Sequence, residues 1–475
     1  MACRNRRGRA ASAITLVVAI AALGVVTIRT GSVPTGHRAS TARVELVAQS
    51  IAIAALASST PPTTASCLAK SGNKDACYDP AQLRIAYNLA PLYAAGVQGQ
   101  RQTIVIVDCY GSPTIAADLA SFDSAFGLPA PPSFKIIRPA GPIPAFSPSG
   151  KDRQGWALET SLDVEWAHAL APKASILLVE TPTDEVEGTS GFPDIVRAEK
   201  FVIAKRLGTV ISQSFGATEQ TFSSFKQLSP LRSAFLAAAK AKITVLGASG
   251  DLGATDFETD AKTIYPYRVT SWPAGDPLVT AVGGTKLNLN DQGTPTSPAV
   301  AWNDTYSHNP PNPAASGGGR SIFFTRPSYQ KSVSSVTGAR RGVPDIAMSA
   351  ACSGLVDVYA SFLGQGSPWT PMCGTSEASP LFAAIVALSD QEAGHGLGSI
   401  NPALYALPGT PSNGLVAVTS GNNTVGFKNG ASNVVTVTGF QASASYNLVT
   451  GLGTIDAAKF VPALVREWKL LNPKG

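Results

Sequence analysis

Four stretches of this chain, "QTIVIVD" (102–108), "ASILLVE" (174–180), "GTVISQS" (208–214) and "ITVLGAS" (243–249), are unbroken apolar, β-branched runs. Helical patterns near 157–169, 195–206 and 230–241 separate them. A strand that is apolar at every position must be buried on both faces, and strands joined through helices pair parallel. The pattern therefore predicts an α/β fold with a parallel central sheet covered by helices on both faces. In such a sheet the ligand crevice lies beyond the carboxyl ends of the strands. Those ends carry Asp108, then Ser214, Phe215 and Gly216, and then Ser249, Gly250 and Asp251.

The chain has 475 residues, and 44% hydrophobic against 14% charged residues is enough to bury a large core. Its net charge is +6, but seven arginines lie within the first 43 residues, so the remainder is close to neutral and no nucleic-acid partner is expected. No Cys-x-x-Cys pair or His-rich tract suggests a transition-metal site.

The basic start "CRNRRGR" and the apolar run 10–28 read as an export signal. That run of 19 residues is also long enough to span a bilayer, so an uncleaved anchor is the rival reading. A second small-residue cleavage site, "AALA", lies at 54–57. The expected organisation is a signal or anchor at 1–30, a Ser/Thr/Ala/Pro-rich leader at 31–66, and one domain over 67–475. The product is expected to be secreted or extracytoplasmic and monomeric, touching a membrane only if residues 10–28 are retained. Export suits two local disulfides, Cys67 with Cys77 and Cys352 with Cys373, leaving Cys109 as a buried thiol. The polar, Gly/Asn-rich stretch from 410 past 445 reads as surface loops.

Three stretches could carry chemistry. In "CGTSEASPLFAAIVAL", Pro380 reads as the first residue of an apolar helix with Ser379 as its N-cap, which puts Ser376 near a positive helix end. Ser376 is then either a nucleophile or a capping serine. A nucleophile needs a base, and of the four histidines only His168 falls in a helix near likely site residues; His37, His308 and His395 lie in the leader or in loops. Glu159 and Asp163, four apart among apolar residues, supply another base. They form either a solvated helical face or a buried pair in which one carboxyl keeps its proton at mildly acidic pH. Asp251, in "ASGDLGA", follows a small-residue turn at a strand end. Protonated, it could donate to a developing oxyanion; ionised, it would oppose one.

In order, "YDPAQLRIAYNL", "IVIVDCYGSPT", "ETSLDVEWAHALAPKA", "VISQSFGATE", "ASGDLGA", "AVGGT", "GVPDIAM", "CGTSEASPLFAAIVAL" and "YNLVTGLGT" resemble the sedolisins, the serine-carboxyl peptidases. The resemblance runs over residues 78–460. It implies a subtilisin-like fold and hydrolysis of peptides or unfolded proteins at acidic pH. By resemblance Ser376 is the nucleophile, Glu159 the general base, Asp163 its orienting partner, and Asp251 part of the oxyanion hole. Ser214, Phe215 and Gly216 would belong to the segment that pairs with an extended substrate. Two departures stand out. The family's C-terminal calcium site would fall on Ala417 and on Ser443, Ser445 and Asn447, where its carboxylates are absent. No cofactor or metal is therefore expected. The residues before Cys67 are also too few for the family's large folded pro-domain. The leading expectation is a secreted acidic serine endopeptidase. The alternatives are a catalytically silent peptide-binding protein on the same fold, and a neutral-pH hydrolase using His168 or His395.

Overall fold

A computed structural model describes residues 60–473 apart from 308, 365–367, 408–410 and 431. The expected signal segment and most of the leader lie outside the described residues. The four apolar runs lie side by side. The central sheet is built from β1 (Thr103–Cys109), β2 (Phe134–Ile137), β3 (Ser175–Thr181), β4 (Val210–Gln213), β5 (Thr244–Ala248), β6 (Thr280–Lys286), β7 (Val300–Ala301) and β8 (Ile346–Ser349). Its order is β7-β6-β5-β4-β1-β3-β2, with β8 also paired to β6. Every pairing is parallel except β7 with β6. β6 reads poorly as a strand because of its two adjacent glycines. A Cβ on Gly283 would lie 2.7 Å from Pro344, and one on Gly284 2.7 Å from Ala350. Close packing of neighbours, not turn formation, requires glycine there.

Alternate strand residues enter two separate cores, which is why the runs are apolar throughout. Ile104, Ile106, Ile176 and Leu178 pack with α2 (Ile115–Phe126), α3 (Lys151–Leu170), α6 (Thr375–Ala393) and α7 (Ala457–Leu471). Val105, Val107, Leu177, Val179 and Ile211 pack against α4 (Phe192–Lys205) and α5 (Ser233–Ala241) on the other face.

Three boundaries differ from the sequence reading. The body begins before Cys67, because Thr63 caps a helix α1 (Thr64–Ser71) through a reciprocal pair of hydrogen bonds with Ser66. Helix α6 begins at Thr375 with Gly374 as its cap, so Ser379 is not the N-cap and Pro380 lies inside the helix. The polar stretch after 410 includes a short hairpin, Val425–Phe427 with Val435–Val437, whose Val425 and Phe427 are buried. Both expected disulfides are formed, and Cys109 is buried.

Beyond β6, the fully buried Arg341 makes a bidentate pair with Asp345, whose carboxylate also accepts from the Tyr405 hydroxyl and the Ala281 N–H. Arg341→Met would leave that carboxylate buried without its counter-charge. The expected cost is about 3–5 kcal/mol, read as a lower denaturation midpoint with an unchanged slope.

Candidate active site

The carboxyl ends of β1, β4 and β5 meet the amino end of α6. Asp251 follows β5 through Gly250, and its Oδ1 accepts two bonds from Thr375, from the N–H and the hydroxyl, each at 2.7 Å. The Thr375 hydroxyl in turn accepts the Gly250 N–H at 3.1 Å. The carboxyl group thus does the capping work that the sequence reading gave to Ser379. Its Oδ2 lies only 2.6 Å from where a Cβ on Gly374 would sit, and Gly374 has φ 123°. Each residue of the triplet therefore has its reason: Gly374 makes room for Asp251, Thr375 binds it, and Ser376 comes next on the helix. Asp251 keeps part of its surface open to a cavity, while protein on its other sides pushes its pKa up to about 6 against the lowering effect of Thr375.

Pro380 has a consequence one turn back. Lacking an N–H, it cannot bond the carbonyl of Ser376, and the Ser214 hydroxyl lies 3.3 Å from that oxygen. The same hydroxyl donates to Asp163 Oδ1 at 2.9 Å, and Ser376 Oγ lies 3.5 Å from the Ser214 carbonyl. Ser214 thus links α3 to α6 at the candidate nucleophile.

Glu159 and Asp163 are 1% and 0% exposed, in the stretch of α3 that is buried from Gly155 to Leu170. Of the two readings, the structure has the buried pair: both carboxyl groups are interior. Burial raises the Asp163 pKa well above the usual carboxylate range. The charges of Asp108 and Glu159 raise it further, against the lowering bond from Ser214. Asp108, at the end of β1, is itself pushed up to about 7 by burial. It is the member of this group that the site prediction missed. Its strand-end position was legible, but its proximity to α3 depends on how the helix crosses the sheet.

Asp251 and Ser376 line one cavity of about 370 Å³, together with Ser214, Phe215 and Gly216. Phe215 is anchored in the core against Trp156 and Phe192. Asp256, Ser271 and Lys262 complete one wall; Asp256 accepts from the Ser271 hydroxyl at 2.6 Å and is pushed up to about 6 by burial. No histidine among the described residues lines this cavity. Nε2 of buried His168 lies 2.9 Å from the Pro129 carbonyl and 3.2 Å from Asp123, while His395 lies at the other end of the sheet. His308 lies outside the described residues. The geometry does not support the histidine-based alternative.

The chain is 31% identical over 403 residues to kumamolisin of Bacillus sp. (strain MN-32), covering 83% of this chain and 65% of that protein. Sedolisin of Pseudomonas sp. (strain 101) is 29% identical over 364 residues, 75% of this chain and 57% of that one. The solved structure of Pseudomonas sedolisin complexed with two molecules of pseudo-iodotyrostatin matches with a TM-score of 0.65 at 28% identity, over 81% of this chain and 97% of that one. This chain belongs to the sedolisin family. The subtilisin-like fold follows from the same match. No family model matches the chain. The chain spans less than two thirds of the length of these two curated sedolisin relatives.

The sedolisin calcium site can be tested against the loop that would hold it. Asn447 Nδ2 donates toward the carbonyls of Ser443 (3.4 Å) and Ser445 (3.3 Å), so these oxygens face an N–H donor where a cation would need them. Asn447 Oδ1 accepts from Val449 N, Thr450 N and the Thr450 hydroxyl at 3.0, 2.9 and 3.2 Å. Ala417 offers no side-chain ligand. This donor set does not fit a hard divalent cation, because the carboxamide already closes the loop. Calcium or a chelator is expected to move the melting temperature by less than about a degree, whereas Asn447→Asp should melt lower and recover on adding calcium. A rise of several degrees in the unmodified protein at micromolar calcium would contradict this.

The buried acids also set a pH dependence. Asp251 and Asp256 are pushed up to about 6, Asp108, Asp390 and Glu219 to about 7, and Glu199 to about 8, with burial the largest cause in each. Their ordinary values are 3.8 and 4.5, so the folded chain holds more protons than the unfolded one between about pH 4 and 8. Stability is fully present below about pH 4 as far as these groups are concerned, and falls as pH rises through their folded values. Melting temperatures measured from pH 4 to 8 are expected to decline steadily, opposite to ordinary acid denaturation.

Proposed function

We propose that this chain is a serine endopeptidase that cleaves extended peptides or unfolded proteins at acidic pH through an acyl-enzyme. The observation that carries the reading is the placement of Ser376 between two protonatable systems: Asp163, reached through Ser214, and Asp251, held by Thr375. In the first step Ser376 Oγ bonds the scissile carbonyl carbon while Glu159 takes the hydroxyl proton. Asp163 shares that proton load, which its burial beside two other carboxyl groups makes favourable. The developing oxyanion meets Asp251. With both Thr375 bonds on Oδ1, the proton belongs on Oδ2, and a neutral carboxyl there donates to the oxyanion. Collapse breaks the C–N bond and Glu159 returns its proton to the leaving amine; water then repeats the sequence on the ester. Ser214, Phe215 and Gly216 supply main-chain groups along the cavity for an extended substrate.

Two disulfides suit an oxidising compartment, in keeping with a secreted or extracytoplasmic enzyme. No helix among the described residues is long and apolar enough to cross a membrane.

The test is cleavage of a quenched peptide library from pH 2 to 8. Activity is expected to peak below about pH 5 and to fall as pH rises through 6, where Asp251 loses its proton. Ser376→Ala should abolish turnover, and Glu159→Gln should lower kcat by about 10²–10⁴. Asp251→Asn keeps the same donor and acceptor pattern as the protonated acid. It should stay within about 10²–10³ of the parent and push the alkaline limb upward. Correctly folded protein with no turnover at any pH would favour the peptide-binding alternative.

A further inference from the structure

At the end of the sheet opposite Ser376, the amino ends of β1, β4 and β5 surround a second cavity of about 520 Å³. Arg101, Arg206, Lys240, Lys242 and His395 line it. The four arginines and lysines are exposed, and none has a carboxylate within ion-pair distance among the described residues. Lys242 Nζ is restrained 5.6 Å from the Trp468 ring.

Their backbone is as informative as their charge. Seven described non-glycine residues have left-handed φ, and three of them are here: Arg101 (65°), Arg206 (51°) and Lys242 (57°). Arg206 and Lys242 are the C-caps of α4 and α5, where glycine meets no steric cost and any other residue does. Cationic side chains thus stand at positions that stability alone would assign to glycine, and unfavourable conformations of this kind gather at functional sites. Neutralising the helix ends does not account for them. Three helices, α4, α5 and α6, end here, and their dipoles together carry about 1.5 negative charges against four permanent positive ones. Asp390, at the end of α6, accepts the Leu397 N–H at 2.8 Å and is not part of the cavity lining.

We propose that this cavity binds a phosphate-type oxoanion carrying several negative charges, as a soluble oligophosphate or as the phosphate headgroups of an anionic lipid surface. Two guanidinium forks and two ammonium groups offer more donors than one carboxylate can accept, whereas linked phosphates match them. A ligand held here leaves the Ser376 cavity open, since the two lie at opposite ends of the sheet.

Titration calorimetry with tripolyphosphate at physiological ionic strength tests this. The expected result is saturable binding at one site per chain, weakened at least tenfold in Arg206→Gly/Lys242→Gly. The same variant should melt at or above the parent temperature, because glycine relieves both left-handed positions. A role limited to capping the helix dipoles would instead lower its melting temperature. Lys240→Gln, which leaves the backbone unstrained, should also weaken binding and serves if the glycine pair folds poorly. Co-sedimentation with phosphatidylglycerol vesicles, against phosphatidylcholine, separates a surface headgroup from a soluble oligophosphate; binding in either arm supports the site. Absence of saturable binding in both arms, or unchanged affinity in the variants, would overturn it.

Discussion

A carboxyl group that loses water must either find donors or keep its proton, and the candidate site is organised around one that does both. Asp251 takes two donors from Thr375 on one oxygen and leaves the other toward Gly374. That single contact sets the start of α6, requires glycine at 374 and positions Ser376. Moving the carboxyl by a Cβ's width would require a different triplet and a different helix start. The same contact gives the site its acid character, since the neutral form of Asp251 is the one able to donate.

The second carboxyl system follows the same rule with fewer donors. Asp108, Glu159 and Asp163 lie in the interior between sheet and helices, and Asp163 receives one bond from Ser214. Their mutual repulsion and burial favour holding protons at a pH where a histidine base would already be charged. Protons held by these groups remove the cost of burying their charges, so stability depends on them. Glu199, on α4 across the sheet, follows the same rule: burial pushes its pKa up to about 8.

Elsewhere, amide and cationic groups take up places that simpler chemistry would fill. The Asn447 carboxamide joins both sides of its loop, donating toward the Ser443 carbonyl and accepting from the Thr450 N–H. At the opposite end of the sheet, basic residues occupy left-handed caps where glycine would carry no steric cost.

Much of this architecture was legible from the residues. Double-sided apolar runs determined a parallel sheet because each strand face must be covered. The motifs around Glu159, Asp163, Asp251 and Ser376 carried the candidate site because each acid or serine stands beside apolar or small neighbours. Local patterning failed where long-range packing overruled it. Pro380 reads as a helix start, yet the helix begins at Thr375 because Asp251, distant in sequence, supplies the cap. The glycines of β6 hide a central strand whose neighbours press too closely for side chains. Asp108 joins Glu159 and Asp163, and four exposed cations share one cavity, only because the crossing of helices over the sheet brings together residues far apart in the chain. Periodicity and composition record which faces are buried; which buried or charged groups meet is decided by the tertiary fold.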